Sequence, residues 1–418
     1  GGGLFVPQNL PSFGLDEIIA LADLPYAQRA AKVYQAFDTD LDDETIERLM
    51  EATYGAAFDT EDICPVTSLD EKTHVLELWH GPTSAFKDMA LQCLPNFFSE
   101  SARKLREEGV IDHTFLILVA TSGDTGSAVA HGFHNVPGVE VVVLYPEGKI
   151  SRLQECQMTT LGGNIHPLRV AGTFDDCQRL VKGLFADAKF RAGHRVSSAN
   201  SINLLRWIPQ AFYYFYAYAQ LKRAGKADNA VICVPSGNFG NITAGLFGKK
   251  MGLPVKRFIA ANNRNDIFYQ YLKTGVYTPR PSIATIANAM DVGDPSNFAR
   301  ILDLYEGSHD AIASEISGET YTDEQIRETV QKTYEETGYL LDPHGACGYR
   351  ALAEDLQPEE NGVFLETAHP AKFLQTVEAI IGTEVKIPEK LQAFMRGTKQ
   401  SVPMQKDFAS FKAYLLKQ

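Results

Sequence analysis

Two short glycine-rich segments constrain the fold of this chain more than any other feature. Ser122–Gly126 (SGDTG) follows the apolar run 114–120, and Ser236–Gly240 (SGNFG) follows the apolar run 230–235. A helix of small residues is predicted after each segment. Glycines let a backbone turn tightly and approach a ligand closely, and the first N–H groups of a helix attract anions. The repeated order of strand, loop and helix therefore predicts an α/β protein with parallel sheets and anion-binding loops.

These loops differ from the best-known phosphate-binding motifs. Neither loop contains the lysine of a P-loop, and neither contains the first glycine pair of a dinucleotide-binding fingerprint. The sequence therefore gives no support to nucleotide hydrolysis or to hydride transfer to a nicotinamide. An ordinary strand-to-helix turn would explain one such loop, but it explains two loops of the same spacing poorly.

A lysine in the segment 80–92 (HGPTSAFKDMALQ) indicates the kind of ligand. A strand pattern over 75–78 and a turn precede a predicted helix over 85–94, which places Lys87 in the first helical turn. That position and burial both disfavour the charged form of the amine. A neutral lysine can form a Schiff base with an aldehyde, and pyridoxal phosphate is the natural aldehyde partner. Alone, Lys87 would more commonly be a surface lysine, but beside two glycine loops it predicts this cofactor.

The order of the motifs resembles the threonine synthase family in its longer bacterial and fungal form. The matching segments are 2–7 (GGLFVP), 80–88, 120–128 (ATSGDTGSA), 144–151 (LYPEGKIS), 160–165 (TLGGNI), 198–203 (SANSIN), 235–241, 288–297 (NAMDVGDPSN), 342–346 (DPHGA) and 366–373 (ETAHPAKF). The resemblance implies a fold type II pyridoxal-phosphate enzyme, α/β, with two doubly wound open-sheet domains and the cofactor in the cleft between them. It also implies conversion of O-phospho-L-homoserine and water to L-threonine and phosphate, by γ-elimination followed by β-addition of water.

Together with the pattern of elements, the resemblance implies a division of the chain. Residues 1–73 form a mainly helical segment on the large domain, 74–98 and 222–418 form a large cofactor-binding α/β domain, and 99–221 form a smaller α/β domain. The predicted strands are 114–120, 139–145, 164–170, 229–235, 255–261 and 362–367. The predicted helices include 40–51, 95–108, 151–161, 174–187, 205–223, 241–252, 322–336 and 345–355. Residues 308–322 are the one weak linker candidate, and the aromatic stretch 202–218 predicts a packing helix.

The resemblance assigns the cofactor site residue by residue. Lys87 would hold the cofactor and then act as the proton shuttle. The Thr367 hydroxyl would face the pyridine nitrogen, although without the resemblance it would be a strand-end threonine capping a turn. Asp124 would lie beside the 3′-oxygen, where an acid must be protonated or turned away. The cofactor phosphate would be cradled by Ser236, Gly237, Asn238, Phe239, Gly240 and Asn241.

The substrate site follows from the same resemblance. Ser122 and Thr125 would meet the substrate carboxylate or phosphate, and Asn200, Ser201 and Arg206 would bind the substrate phosphate. Arginine suits phosphate because its planar fork donates two parallel hydrogen bonds. Two alternatives remain open: a related phospholyase that yields 2-oxobutyrate, and a non-catalytic module that binds a phosphate ligand. The presence of Lys87 together with every loop argues against the second.

The net charge, the apolar runs and the cysteine spacing limit the kinds of partner that the protein can bind. A net charge of −13 argues against nucleic acid and anionic membranes, and no apolar run approaches the roughly 20 residues that span a bilayer. The six cysteines show neither paired nor metal-ligand spacing, so we expect no metal and a reduced, cytoplasmic protein. We expect a monomer or homodimer acting on a small phosphorylated amino acid. Because the chain begins with Gly1 rather than methionine, its start is expected to be truncated or processed.

Overall fold

The structure is a computed structural model that describes residues 4–37, 39–111, 114–201 and 203–417. Gly2, Gly3 and Ile202, which belong to segments named above, lie outside the described residues. Two compact units are present: the first contains 1–90 and 201–386, and the second contains 91–200 and 387–418. These units group 91–98, 201–221 and 387–418 differently from the predicted three-part division, which stays a prediction about domains.

The strands fall into two sheets. In chain order they are β1 (Val66–Ser68), β2 (Thr73–Glu77), β3 (Phe115–Ala120), β4 (Val139–Pro146), β5 (Ile165–Val170), β6 (Arg195–Ser198), β7 (Ala230–Pro235), β8 (Arg257–Asn262), β9 (Ile316–Thr320), β10 (Asn361–Glu366) and β11 (Val402–Met404). The first unit holds the order β1-β2-β10-β7-β8-β9, which is parallel except for β1. The second unit holds the parallel order β11-β5-β4-β3-β6. All six predicted strands and the parallel pairing are confirmed.

Helices cover the sheets. They are α1 (Leu15–Leu21), α2 (Tyr26–Gln35), α3 (Asp43–Thr53), α4 (Asp88–Leu91), α5 (Cys93–Glu107), α6 (Asp124–Phe133), α7 (Arg152–Thr159), α8 (Phe174–Ala186), α9 (Ala188–Gly193), α10 (Ile208–Arg223), α11 (Gly240–Lys250), α12 (Ile267–Thr274), α13 (Phe298–Leu304), α14 (His309–Glu315), α15 (Asp323–Thr337), α16 (Pro343–Asp355), α17 (Leu374–Ile381), α18 (Glu389–Met395) and α19 (Phe408–Leu415). Three 3₁₀ turns are Leu204–Arg206, Asn288–Met290 and Pro370–Phe373. Apart from the helix predicted over 85–94, the predicted helices are confirmed to within a few residues.

Each unit has its own apolar core. In the first unit, Val231 and Cys233 of β7 and Phe364 of β10 pack with Val330 of α15 and Leu352 of α16. The core of the second unit is built in the same way from its central strands, α8 and α19. Strands buried on both faces explain why the sequence shows continuous apolar runs rather than alternation.

One predicted helix was wrong at the point that matters most for the site. The prediction of a helix over 85–94 placed Lys87 in its first turn, whereas α4 begins at Asp88 and Lys87 precedes it. Ala85 instead forms an isolated antiparallel bridge with Ala368, and the Phe86 N–H donates to the Thr367 carbonyl oxygen at 2.7 Å. Pairing with another segment therefore holds residues 85 and 86 out of the helix.

The linker predicted over 308–322 was also wrong. This stretch contains α14 and β9, and the Ser308 hydroxyl accepts from the Ala311 N–H at 3.2 Å as the helix cap. β9 is the edge strand of its sheet, pairing with β8 alone among the described strands. An edge strand buries fewer large side chains, which explains why its sequence is polar.

Both glycine loops lie where the strand order reverses. β7 has β8 on one side and β10 on the other, and β3 has β4 on one side and β6 on the other. Ligands of open α/β sheets bind in the crevice at the carboxyl ends of such strands. Each unit therefore presents its glycine loop at the position where a ligand site is expected.

Among the described residues, no helix is long and apolar enough to cross a membrane. The same part of the chain contains no cluster of three or more potential metal ligands, and its six cysteines are free thiols.

Candidate active site

Lys87 and Thr367 lie on two paired segments of the first unit. The Phe86 N–H donates to the Thr367 carbonyl oxygen at 2.7 Å, and the His369 N–H donates to the Ser84 carbonyl oxygen at 3.0 Å. Lys87 retains 8% of its exposed surface, and Thr367 is buried just beyond the end of β10. The structure therefore brings together the predicted cofactor-binding lysine and the threonine predicted to face the pyridine nitrogen.

The backbone before Lys87 is held rigidly by Asp88. One carboxylate oxygen of this buried residue accepts from the Thr83 N–H at 2.8 Å, and the other accepts from the Thr83 hydroxyl at 2.7 Å. A Cβ at Gly81 would lie 2.5 Å from the Asp88 Cβ, so a glycine is required there. The buried Lys372 ammonium donates to the Thr83 carbonyl oxygen at 2.9 Å. The motif residues around Lys87 thus fix the direction from which its side chain leaves the backbone.

The loop 236–241 follows β7 at the switch point of the first sheet and includes the first two residues of α11. Phe239 has a φ of 62°, in the left-handed region, and no side chain caps α11 in the described structure. A Cβ at Gly237 would lie 2.6 Å from the Met290 Cα and 3.1 Å from the Ala289 carbonyl oxygen. Only glycine fits at this position, because the turn 288–290 packs directly on the loop.

Side chains around Asn238 connect this loop to Ser201. The Asn238 Oδ1 accepts from the Ser296 N–H at 2.7 Å, while its amide nitrogen donates to the Ser201 hydroxyl. Asn297 donates to the same hydroxyl at 3.2 Å. Ser201, predicted to bind the substrate phosphate, therefore lies beside the predicted cofactor-phosphate loop.

Arg300 holds this cluster in place. Its guanidinium donates to the Ser201 carbonyl oxygen at 2.7 Å, to Asn297 Oδ1 at 2.7 Å and to the Phe5 carbonyl oxygen at 3.1 Å. Burial lowers the pKa of Arg300 to about 10, so the group stays charged at neutral pH. Arg300 was missed by the sequence analysis because α13 carries no pattern that marks it.

His344 supports the turn that covers the loop. The Ala289 N–H donates to His344 Nε2 at 3.1 Å, so that nitrogen is unprotonated and Nδ1 donates to the Asp342 carboxylate at 2.5 Å. The Asp342 N–H donates to Glu366 Oε1 at 2.6 Å, and burial followed by the charge of Asp342 raises the pKa of Glu366 well above its usual range. Hydrogen bonds thus connect Glu366, which precedes Thr367, through Asp342 and His344 to the turn 288–290 that packs on Gly237.

Arg206 is buried in the 3₁₀ turn Leu204–Arg206, where it retains 3% of its exposed surface. Burial lowers the pKa of its guanidinium to about 10, which leaves it charged at neutral pH. The Gln210 side chain donates to the Arg206 carbonyl oxygen and so ties this turn to α10. The structure thus places Arg206 in the interior of the first unit, and its role in phosphate binding stays a prediction.

The second unit gathers its predicted residues around the loop after β3. The Thr121 hydroxyl accepts from the Gly123 N–H at 2.9 Å and the Gly126 N–H at 2.7 Å, which shapes the segment that carries Ser122 and Thr125. The Asn200 amide donates to the Ala120 carbonyl oxygen at 3.0 Å. Asn200 therefore lies beside this loop, as β6 pairs with β3.

Asp124 is oriented by a residue that the sequence analysis missed. Gln154 Nε2 donates to Asp124 Oδ1 at 3.0 Å, while Gln154 Oε1 accepts from the Ser151 N–H at 2.9 Å in a capping box. A Cβ at Gly123 would overlap the Gln154 side chain. Ser151 ends the motif 144–151, and its spacing to Gln154 was the available signal for the capping box.

Comparison with known protein families covers nearly the whole chain. The family described as Pyridoxal-phosphate dependent enzyme matches residues 68–367. The family described as Threonine synthase N terminus matches residues 1–54, and that described as Threonine synthase, C-terminal matches residues 345–415.

Individual relatives agree with these matches. A threonine synthase of Haemophilus influenzae is 43% identical over 415 residues, 99% of this chain and 93% of its own length. A threonine synthase of Escherichia coli is 44% identical over 389 residues, covering 93% of this chain and 87% of its own.

Solved structures extend the likeness to three dimensions. The crystal structure of threonine synthase from Escherichia coli matches with a TM-score of 0.89 and 41% identity, covering 99% of this chain and 93% of that one. A structure described as PLP-bound threonine synthase from Brucella melitensis matches with a TM-score of 0.89, 35% identity and the same coverage. This chain belongs to the threonine synthase family of pyridoxal-phosphate-dependent enzymes.

Proposed function

We propose that the chain converts O-phospho-L-homoserine and water to L-threonine and phosphate, the last step of threonine biosynthesis. The observation that carries the proposal is the pairing of the Lys87 segment with the Thr367 segment at the carboxyl end of β10. That strand neighbours β7, whose end carries the glycine loop 236–241. The family membership described above supports the same activity.

The residues present fit pyridoxal 5′-phosphate. The Asn241 amide nitrogen is buried and has no hydrogen-bond partner among the described residues, and α11 begins in the loop without a side-chain cap. The absence of a Cβ at Gly237 lets the turn 288–290 pack directly on this loop. Anions bind at such helix starts through backbone N–H groups, so Ser236–Asn241 would hold the phosphate and Lys87 the aldehyde carbon.

The overall reaction defines what the chain must do. Phosphate leaves Cγ, one proton leaves Cβ, a hydroxyl from water is added at Cβ, and Cγ gains a proton, while the Cα proton is removed and returned. The released phosphate takes the remaining proton of the water. When bound, pyridoxal 5′-phosphate supplies the electron sink that stabilises negative charge at Cα. Lys87 Nζ would take the Cα proton and later return it, since the paired segments 84–86 and 367–369 keep its backbone fixed.

The products distinguish this function from its closest alternative. Purified protein with pyridoxal 5′-phosphate and O-phosphohomoserine should release threonine and phosphate in equal amounts. A related phospholyase would release phosphate with 2-oxobutyrate and ammonia instead, and a binding module would release nothing. Either of those two outcomes would overturn the proposal. A cytoplasmic location and a monomeric or homodimeric state stay predictions.

The Thr367 hydroxyl is expected to matter for chemistry rather than for cofactor attachment. Thr367→Val should retain the cofactor but slow turnover by about tenfold or more, because a hydrogen bond to the ring is lost. Thr367→Asp should change the protonation of the pyridine nitrogen and shift the absorption spectrum of the bound cofactor. Thr67→Val, on the edge strand β1, is the control. Unchanged turnover and spectrum in both Thr367 variants would place this residue outside the site.

Arg206 is expected to bind the substrate phosphate together with Asn200 and Ser201. Removing one partner of a buried charge pair weakens binding by about 2–5 kcal/mol, so Arg206→Ala should lower kcat/KM by roughly 30-fold or more. Cofactor affinity and spectrum should stay nearly unchanged. The control is Arg223→Ala, which removes a half-exposed arginine at the end of α10.

A comparison of two ligands tests where Arg206 acts. The variant should lose affinity for phosphohomoserine but keep its affinity for an unphosphorylated homoserine analogue. Equal losses for both ligands would mean that Arg206 supports the fold, and the phosphate site would have to be sought elsewhere.

A further inference from the structure

The Asn241 side chain is held from one side by two tyrosines of α10. Its Oδ1 accepts from the Tyr213 hydroxyl at 2.5 Å and from the Tyr214 hydroxyl at 2.7 Å. The Tyr214 hydroxyl also lies 2.9 Å from the Asn241 carbonyl oxygen. Distances this short are typical of O–H···O hydrogen bonds, so the oxygen of the amide faces the tyrosines.

In this orientation the amide nitrogen of Asn241 makes no hydrogen bond to any residue that the structure describes. Asn241 retains 6% of its exposed surface, and its Nδ2 has no hydrogen-bond partner among the residues that the structure describes. A buried unpaired donor is unfavourable, and nearly all such groups in native proteins have a partner. Because Asn241 ends the loop 236–241, the missing partner is expected to be the anion that the loop binds.

A glycine of α11, Gly245, allows Tyr213 and Tyr214 to reach this position. A Cβ at Gly245 of α11 would lie 2.7 Å from Phe258 Cε1 and 2.8 Å from Tyr214 Cε1. Its absence lets α10 and α11 approach closely enough for both hydroxyls to reach Asn241. Burial raises the pKa of Tyr213 and Tyr214 well above the usual value, so both hydroxyls remain protonated donors.

We propose that Tyr213 and Tyr214 are positioning residues that turn the Asn241 amide so that its NH₂ group donates to the cofactor phosphate. The proposal rests on the proposed function only in taking 236–241 as the cofactor-phosphate loop. It gives two residues of an aromatic helix a role in ligand binding, and it predicts selectivity for the phosphorylated form of the cofactor.

The test compares two ligands of the apoprotein, pyridoxal 5′-phosphate and pyridoxal, by equilibrium titration of absorbance. Tyr213→Phe and Tyr214→Phe should each weaken the binding of pyridoxal 5′-phosphate by about fivefold, and the double variant by about 30-fold. Affinity for pyridoxal, which lacks the phosphate, should change by less than about twofold. Tyr216→Phe is the matched control, because this tyrosine of the same helix contacts Asp62 and Arg29.

Asn241 variants keep the proposal testable if the tyrosine variants fold poorly. Asn241→Asp retains an oxygen for the tyrosines but presents a negative oxygen in place of the NH₂ group, whereas Asn241→Ala removes both. Asn241→Asp should therefore bind pyridoxal 5′-phosphate more weakly than Asn241→Ala, with pyridoxal unaffected.

Equal losses for both ligands in the tyrosine variants would overturn the proposal, as would full retention of phosphate-dependent affinity or tighter binding by Asn241→Asp than by Asn241→Ala. None of these measurements uses the amino-acid substrate. A failure of threonine formation is thus distinguishable from a failure of this proposal.

Discussion

Lys87→Ala should lower the rate of threonine formation by about 10³-fold or more. Positioned acid–base catalysis by one side chain typically contributes 10²–10⁴-fold, and this lysine would also hold the cofactor. The backbone at Lys87 is held from two sides. Residues 84–86 pair with 367–369, and the Asp88 carboxylate accepts hydrogen bonds from Thr83.

A labelling experiment accompanies the rate measurement. Borohydride treatment of the yellow wild-type protein should attach the cofactor irreversibly to the peptide that contains Lys87. Lys332→Ala, which removes an exposed lysine of α15, should behave like the wild type in both assays. Attachment to any other lysine, or near-normal turnover in Lys87→Ala, would end the assignment.

Gly237→Val should lower the affinity for pyridoxal 5′-phosphate by about 100-fold or more. The new Cβ would meet the Met290 Cα at 2.6 Å, and this contact is with backbone that belongs to a turn tied down by His344. Overpacking of this kind typically destabilises a protein by about 1–3 kcal/mol, which the two large cores should tolerate. The loop is thus expected to shift while the fold remains.

The matched control for this variant is Gly193→Val, because a Cβ at Gly193 meets no heavy atom within 4 Å. Both affinities are measured by titration of apoprotein, and the thermal midpoint is recorded for each variant. Normal cofactor occupancy in Gly237→Val would show that the loop lies away from the phosphate. A global loss of folding in this variant alone would show that the glycine serves the fold.

The sequence predicted the sheets well because their strands are buried on both faces. Runs such as Phe115–Ala120 and Ala230–Pro235 are apolar throughout, and each is followed by a glycine loop. The switch-point location of those loops follows from strand order, which local pattern does not reveal. The non-helical backbone before Lys87 was missed for the same reason, since its partner segment 367–369 is about 280 residues away in the chain.

The supporting polar residues of the site were harder to predict than its ligand-facing candidates. Arg300 and His344 act through carbonyl oxygens and N–H groups of distant turns, and such contacts leave no spacing rule in the sequence. For the aromatic residues of α10, the sequence analysis predicted only that they form a packing helix. The bonds from Tyr213 and Tyr214 to Asn241 depend on how closely two helices approach, which the sequence does not specify.

One measurement tests the central claim most directly: the products formed from O-phosphohomoserine in H₂¹⁸O, analysed by mass spectrometry. Elimination of phosphate breaks the Cγ–O bond, and water then adds at Cβ. The account predicts threonine with one ¹⁸O in its hydroxyl group and an equal amount of phosphate without ¹⁸O. Phosphate that carries ¹⁸O, or 2-oxobutyrate in place of threonine, would contradict it.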